Sequence, residues 1–71
     1  KNKVGEIISM LLVSDQILAT TSKGYFLFID YKNGKLLNYT KASKSGFYSS
    51  PIIVNDMIYT IDKNFRLLIF N

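Results

Sequence analysis

Apolar residues run along this chain in short blocks of five to seven, each closed by a polar turn. Ile7 to Val13, Ile17 to Thr21, Tyr25 to Tyr31, Lys35 to Thr40, Tyr48 to Val54, Met57 to Asp62 and Arg66 to Phe70 read as seven strands. The blocks are rich in β-branched and aromatic residues and bounded by Ser, Asp, Asn and Gly, which is strand punctuation. No block shows the 3.6-residue apolar period of an amphipathic helix. Ile7 to Val13 is apolar on both faces, the pattern of a strand covered on both sides. Asn33-Gly34 lies between two apolar strands and predicts a type I′ hairpin, which needs positive φ at both central residues. Pro51 lacks an amide donor and belongs near the start of its strand or faces away from the ladder.

The pattern occurs twice. Moved back 41 positions without a gap, Gly46 to Phe70 lands on Gly5 to Ile29. Gly46 meets Gly5, Ser50 meets Ser9, Val54 meets Val13, Asp56 meets Asp15, Ile58 meets Ile17 and Leu68 meets Leu27. The turns also coincide, Asn55-Asp56 with Ser14-Asp15 and Asp62-Lys63-Asn64 with Thr21-Ser22-Lys23. A period near 40 residues built of strands is the mark of a β-propeller or a related array. The expected architecture is all-β: antiparallel four-stranded meander blades of a β-propeller, about one and three-quarter repeats of period 41. Residues 1–4 form a polar lead-in, 5–40 a first blade of four strands, 41–46 a polar linker, and 47–71 a second blade of three strands. A sheet apolar on both faces must stack on neighbours to be stable in water. The chain therefore reads as a piece of a longer protein, and as an oligomer that self-associates through exposed blade faces and strand edges.

Composition narrows the chemistry. With 71 residues the chain holds one small domain at most. It has no cysteine and no histidine, which removes disulfides, thiolate metal sites, the commonest metal ligand and the commonest general base. Nine Lys and Arg against five Asp and Glu give a net charge of +4. Eight of the nine are Lys (1, 3, 23, 32, 35, 41, 44 and 63), dispersed over turns and termini. A nucleic-acid footprint would cluster its cations along one face, so no nucleic-acid partner is expected. Apolar runs end well short of the ~20 residues that span a bilayer, so no direct membrane span is expected, and no signal peptide is visible.

The candidate polar residues each have a structural explanation. Asp15 and Asp56 occupy equivalent turns and cap them. Asp30 opens the loop to Asn33-Gly34, where an Asx turn suffices; Asp30-Tyr31-Lys32-Asn33-Gly34 lacks the alternating oxygens and distal Glu of a calcium loop. Glu6 and Asp62 complete the carboxylates. Asn38-Tyr39-Thr40 matches a glycosylation triplet of a kind that arises often by chance. Ser49-Ser50 has no base beside it to make a nucleophile. Tyr25, Phe26, Phe28, Tyr31, Tyr39, Phe47, Tyr48, Tyr59, Phe65 and Phe70 alternate with aliphatics and read as packing residues. No catalytic, cofactor-binding or metal-binding residue is assigned.

Ser49-Ser50-Pro51-Ile52-Ile53-Val54-Asn55-Asp56-Met57-Ile58-Tyr59, followed by Arg66-Leu67-Leu68-Ile69, resembles the repeat of quinoprotein-type (PQQ-like) β-propellers. That repeat runs Ser-Pro-Val-Val, a short turn, Val-Tyr-Val, Asp-Gly and Leu-Tyr-Ala-Leu-Asp. Leu27-Phe28-Ile29-Asp30-Tyr31-Lys32-Asn33-Gly34-Lys35-Leu36-Leu37 parallels its continuation, with Asp30, Gly34 and Lys35 in register. Phe28 stands where the family has Ala, Asn33 where it has Thr, and Asn38 where it has the Trp that docks neighbouring blades. The resemblance implies a bacterial periplasmic or cell-envelope protein. It implies a non-catalytic scaffold with protein partners and no cofactor, the type to which outer-membrane β-barrel assembly lipoproteins belong. The alternative it implies is a fragment of a periplasmic PQQ-dependent dehydrogenase.

Overall fold

In a computed structural model the described residues are 3–71, so Lys1 and Asn2 of the lead-in lie outside them. The chain forms seven strands: β1 (Ile7–Val13), β2 (Gln16–Thr21), β3 (Tyr25–Asp30), β4 (Leu36–Lys41), β5 (Ile52–Val54), β6 (Met57–Ile61) and β7 (Leu67–Phe70). No helix occurs among the described residues. β1 to β4 make one antiparallel meander and β5 to β7 a second. This all-β architecture, sheets of four and three strands in chain order, is that of a β-propeller fragment.

Strand bounds depart from the sequence pattern mainly at β5. Tyr48 to Val54 reads as one strand, but regular pairing covers only Ile52–Val54. Before it Phe47 makes an isolated bridge to Asp62, and Tyr48 N donates to Ile61 O. Pro51 has no N–H to continue the ladder, so the segment between the bridge and Ile52 bulges. The first unit pairs Ile7 with Thr21 and shifts register before Ser9. In both units the amide after the turn-opening residue donates to the other strand, Ser22 N to Glu6 O and Lys63 N to Gly46 O. By hydrogen bonding Phe47 is therefore the counterpart of Ile7, one residue out of step with the ungapped period. From Leu11 and Ile52 onward the two units are in step.

The type I′ turn lies elsewhere than expected. Asn33 does not adopt positive φ; only Gly34 does (φ 74°). The β3–β4 connection is instead a four-residue loop closed by Asp30 N to Lys35 O (2.9 Å) and Gly34 N to Asp30 O (2.8 Å). Asp30 Oδ1 accepts from Lys32 N and Asn33 Oδ1 from Lys35 N, so both side chains serve the loop backbone. A register shift between Phe28 and Ile29 follows, and β4 begins at Leu36 rather than Lys35. The two-residue turn with both centres at positive φ is Asn55-Asp56 (50° and 66°), between Val54 and Met57. Its counterpart Ser14-Asp15 has positive φ at Ser14 alone (56°).

Alternation along each strand divides its residues between two faces. Leu18, Phe26 and Phe28 share one face of the first sheet, and Ile53, Ile58 and Phe70 share one face of the second. These faces meet with Phe47 to form the core. Phe26 is its centre: its ring stacks on Phe47 (centroids 5.2 Å, 11° between planes) and meets Phe70 (4.9 Å, 72°) and Phe28 (6.4 Å, 84°) edge-on. Edge-to-face contacts add to area burial through the ring quadrupole.

Candidate functional site

Two features stand out: a buried polar latch joining the units at the end of the sheets, and two open apolar sheet faces.

The latch is built on the turn that opens each unit's third strand. Thr21 starts that turn in the first unit, where its hydroxyl accepts from Tyr25 N (3.1 Å) and bonds Val4 O. Asp62 takes the same place in the second. Its Oδ1 accepts from Asn64 N (2.9 Å) and Arg66 N (3.0 Å). Its Oδ2 accepts from Arg66 Nε (2.9 Å) and Nη2 (2.8 Å), and from Ser43 Oγ (3.2 Å). The carboxylate has no solvent exposure. Burial pushes its pKa up, but the Arg66 amide and guanidinium, the Asn64 amide and the Ser43 hydroxyl all favour the charged form and hold it at about 2. A carboxylate so stabilised neither takes up a proton near neutrality nor has a free lone pair to offer a substrate. Asp62 holds structure rather than doing acid–base chemistry.

Ser43 belongs to the segment between the sheets. Its side chain is buried, its Oγ also accepts from Ser45 N, and its amide and that of Ala42 donate to Gly24 O. A Cβ at Gly24 (φ 88°) would come within 2.0 Å of the Ser43 carbonyl oxygen. One connecting segment is thus clamped on both sides. A groove beside it is lined by Lys41, Lys44 and Arg66, but Arg66 is spent on Asp62 and Lys41 Nζ lies over the Tyr25 ring.

The remaining candidates stay apart. Asp15 and Asp56 lie in the β1–β2 and β5–β6 turns. Glu6 N donates to the Ser22 hydroxyl oxygen. Asn38, on exposed β4, bonds the Tyr39 amide through its own side chain. Ser49 and Ser50 line the rim of an apolar concavity of about 160 Å³, with Ile52, Tyr59, Ile61 and Leu67. Sequence reasoning treated Asp62 as a turn residue and missed its latch. The available signal was its match to Thr21 at 41 residues, with Arg66 four positions on.

Each sheet leaves one apolar face open. On the outer face of the first sheet Met10 and Leu12 are 63% and 64% exposed, and on that of the second Ile52 and Leu67 are 62% and 60% exposed. Contiguous apolar surface of this kind favours being covered. No helix among the described residues is long and apolar enough to cross a membrane.

No family model matches the chain. It is 29% identical over 69 residues to the outer membrane protein assembly factor BamB of Shewanella oneidensis, a match covering 90% of this chain. The chain spans only 18% of that relative's length.

Proposed function

We propose that the chain is a non-catalytic β-propeller scaffold of the bacterial cell envelope that holds protein partners on its open sheet faces during outer-membrane protein assembly. The single observation that carries this reading is the pair of exposed apolar faces, one on each sheet. The likeness to an outer membrane protein assembly factor supports the setting. The latch supports the non-catalytic part, because the Asp62 carboxylate is consumed by five hydrogen-bonding contacts within the protein.

The test is genetic and biochemical. The gene is deleted in the organism that encodes it, and the heat-modifiable, folded fraction of outer-membrane barrel proteins is measured. A fall restored by the wild-type gene, and not by one carrying Ile52→Lys with Leu12→Lys, is the expected result. Unchanged barrel levels on deletion would overturn the role in assembly.

A further inference from the structure

The turn from Asp62 to Arg66 presents side chains that the fold does not use. Phe65 adopts φ 62°, a region in which a side chain is strained and glycine is not. Its counterpart 41 residues earlier, Gly24, makes the same turn with no side chain at all (φ 88°). Yet the strained residue lies outside the core. Phe65 is 73% exposed, and its ring meets that of Tyr48, itself 62% exposed (centroids 5.1 Å). Tyr48 N donates to Ile61 O, which fixes Tyr48 beside the turn. Strain that serves no packing points to a use at the surface.

The repeat also shows that a connection like the chain's own does not fit over this spot. In the first unit the connecting segment lies on Gly24: Ala42 N and Ser43 N donate to Gly24 O, and the Ser43 carbonyl oxygen stands where a Cβ would fall. Phe65 has that Cβ, so a segment laid in the same way over the second turn would collide with it. Strands that extend a sheet add to its edges, and sheets that stack cover its faces. The turn lies at a sheet end, outside both.

Charge identifies the occupant. Lys63, Phe65 and Arg66 are all exposed in this turn, whereas its carboxylate, Asp62, is buried and spent on Arg66, Asn64 and Ser43. Two aromatic rings thus stand beside two cations, with no exposed carboxylate in the turn. Such a patch fits an apolar side chain flanked by carboxylates. A second copy of this chain, at a net charge of +4, is a poor match. The other Lys residues are dispersed over other turns, which leaves no basic track for a nucleic-acid backbone. We propose that Phe65 and Tyr48 anchor a protein partner through a segment in which an apolar side chain is flanked by Asp or Glu, with Lys63 setting the charge preference. The site stands apart from the open sheet faces and requires neither of them.

The test selects a displayed random peptide library on the immobilised chain. Each enriched peptide is then titrated by fluorescence anisotropy against the wild type and Phe65→Gly. The expected peptides carry an apolar residue between carboxylates, and Phe65→Gly weakens their binding by about tenfold or more. Lys63→Gln should weaken it about threefold, and by less as salt is raised. Phe65→Gly should keep or raise the urea midpoint, which separates loss of an anchor from loss of the fold. If the midpoint falls, Phe65→Asn takes its place, since Asn tolerates the left-handed turn without the ring. Peptides that bind wild type and variant equally would overturn this site and leave the open-face scaffold standing. Enrichment of basic or uncharged peptides, or of none, would overturn the acidic partner. So would Phe65-dependent binding of oligothymidine or of phosphatidylglycerol vesicles in place of peptide. Unchanged barrel levels on gene deletion would overturn the role in assembly without touching this result.

Discussion

The third-strand turns of the two units, 21–25 and 62–66, have one backbone plan and two chemistries. In both, the amide three residues on donates to the opening residue's carbonyl: Gly24 N to Thr21 O (3.1 Å) and Phe65 N to Asp62 O (2.9 Å). In both, the amide four residues on donates to the opening residue's side chain. The first unit does this with a neutral hydroxyl and closes the turn with Gly24, against which the connecting segment lies. The second uses a buried carboxylate balanced by Arg66 and closes the turn with Phe65, a 73% exposed non-glycine at φ 62° whose ring meets that of Tyr48 (5.1 Å). The hydroxyl suffices in the first unit, where it also reaches Val4 O and the turn holds the connecting segment through Gly24 O. The carboxylate has an extra duty, since its second oxygen reaches Ser43 and ties the connecting segment to the second sheet. A repeat thus preserves the hydrogen-bond plan, while side chains differ according to what each copy must hold.

The difference between counterparts can be broken most severely at the core. Phe26→Ala should cost about 3–5 kcal/mol by transfer and cavity terms. Leu67→Ala, the same position on the open face, should cost under about 0.5 kcal/mol in dilute, single chains. Urea denaturation followed by circular dichroism separates the two, and equal losses would contradict the packing described. At the turns, Gly24→Ala should cost roughly 3 kcal/mol, from left-handed strain and the collision with Ser43. Phe65→Gly should instead gain about 1 kcal/mol by relieving the same strain.

A smaller effect sharpens the comparison inside the sheets. Thr60 is buried and its Oγ1 has no hydrogen-bond partner, whereas its counterpart Ala19 has no hydroxyl to satisfy. Neighbouring Thr20 shows the satisfied case, its hydroxyl bonded to that of Ser9. Thr60→Val should raise stability by about 1 kcal/mol by removing an orphaned polar group of the same shape. A thermal midpoint unchanged or lowered by the valine would argue against it. The least visible effect at neutral pH belongs to Asp62. Its folded-state pKa is depressed to about 2 from 3.8, so its contribution is fully present above pH 3.8 and is lost as pH falls through about 2. Urea midpoints of the wild type should decline over that window with a one-proton dependence that Asp62→Asn lacks, and Thr21→Val should leave the slope in place.

Much of this was legible in the chain. All seven apolar blocks became strands, and the 41-residue repeat pointed to antiparallel meanders, because alternation and periodicity are local signals. What escaped depends on contacts distant in sequence. The β3–β4 loop closed on Asp30 and Lys35 instead of on Asn33-Gly34, since side-chain acceptors at Asp30 and Asn33 served a longer loop. β5 lost its first half because Pro51 removes a ladder donor and Phe47 is drawn into the core beside Phe26. Asp62 read as one more turn carboxylate; its burial depends on Ser43, 19 residues away, and on the Arg66 side chain folding back.

The clamp on Ser43 bears on where this chain tolerates interruption. By composition the stretch from Lys41 to Gly46 is the obvious spacer, the place at which a protease would nick or an engineer would splice in a tag. Its backbone is instead fastened to Gly24 on one side and, through Ser43, to Asp62 on the other, and Gly46 O accepts from Lys63 N. It has no slack to lend, and added residues there would pull the two sheets out of alignment. The accommodating point is the loop at Gly34, where nothing lies within 4 Å of the space a Cβ would fill. The hinge suggested by polarity is a rivet, and the slack in the molecule's stitching is in the loop to the edge strand β4 of its first sheet.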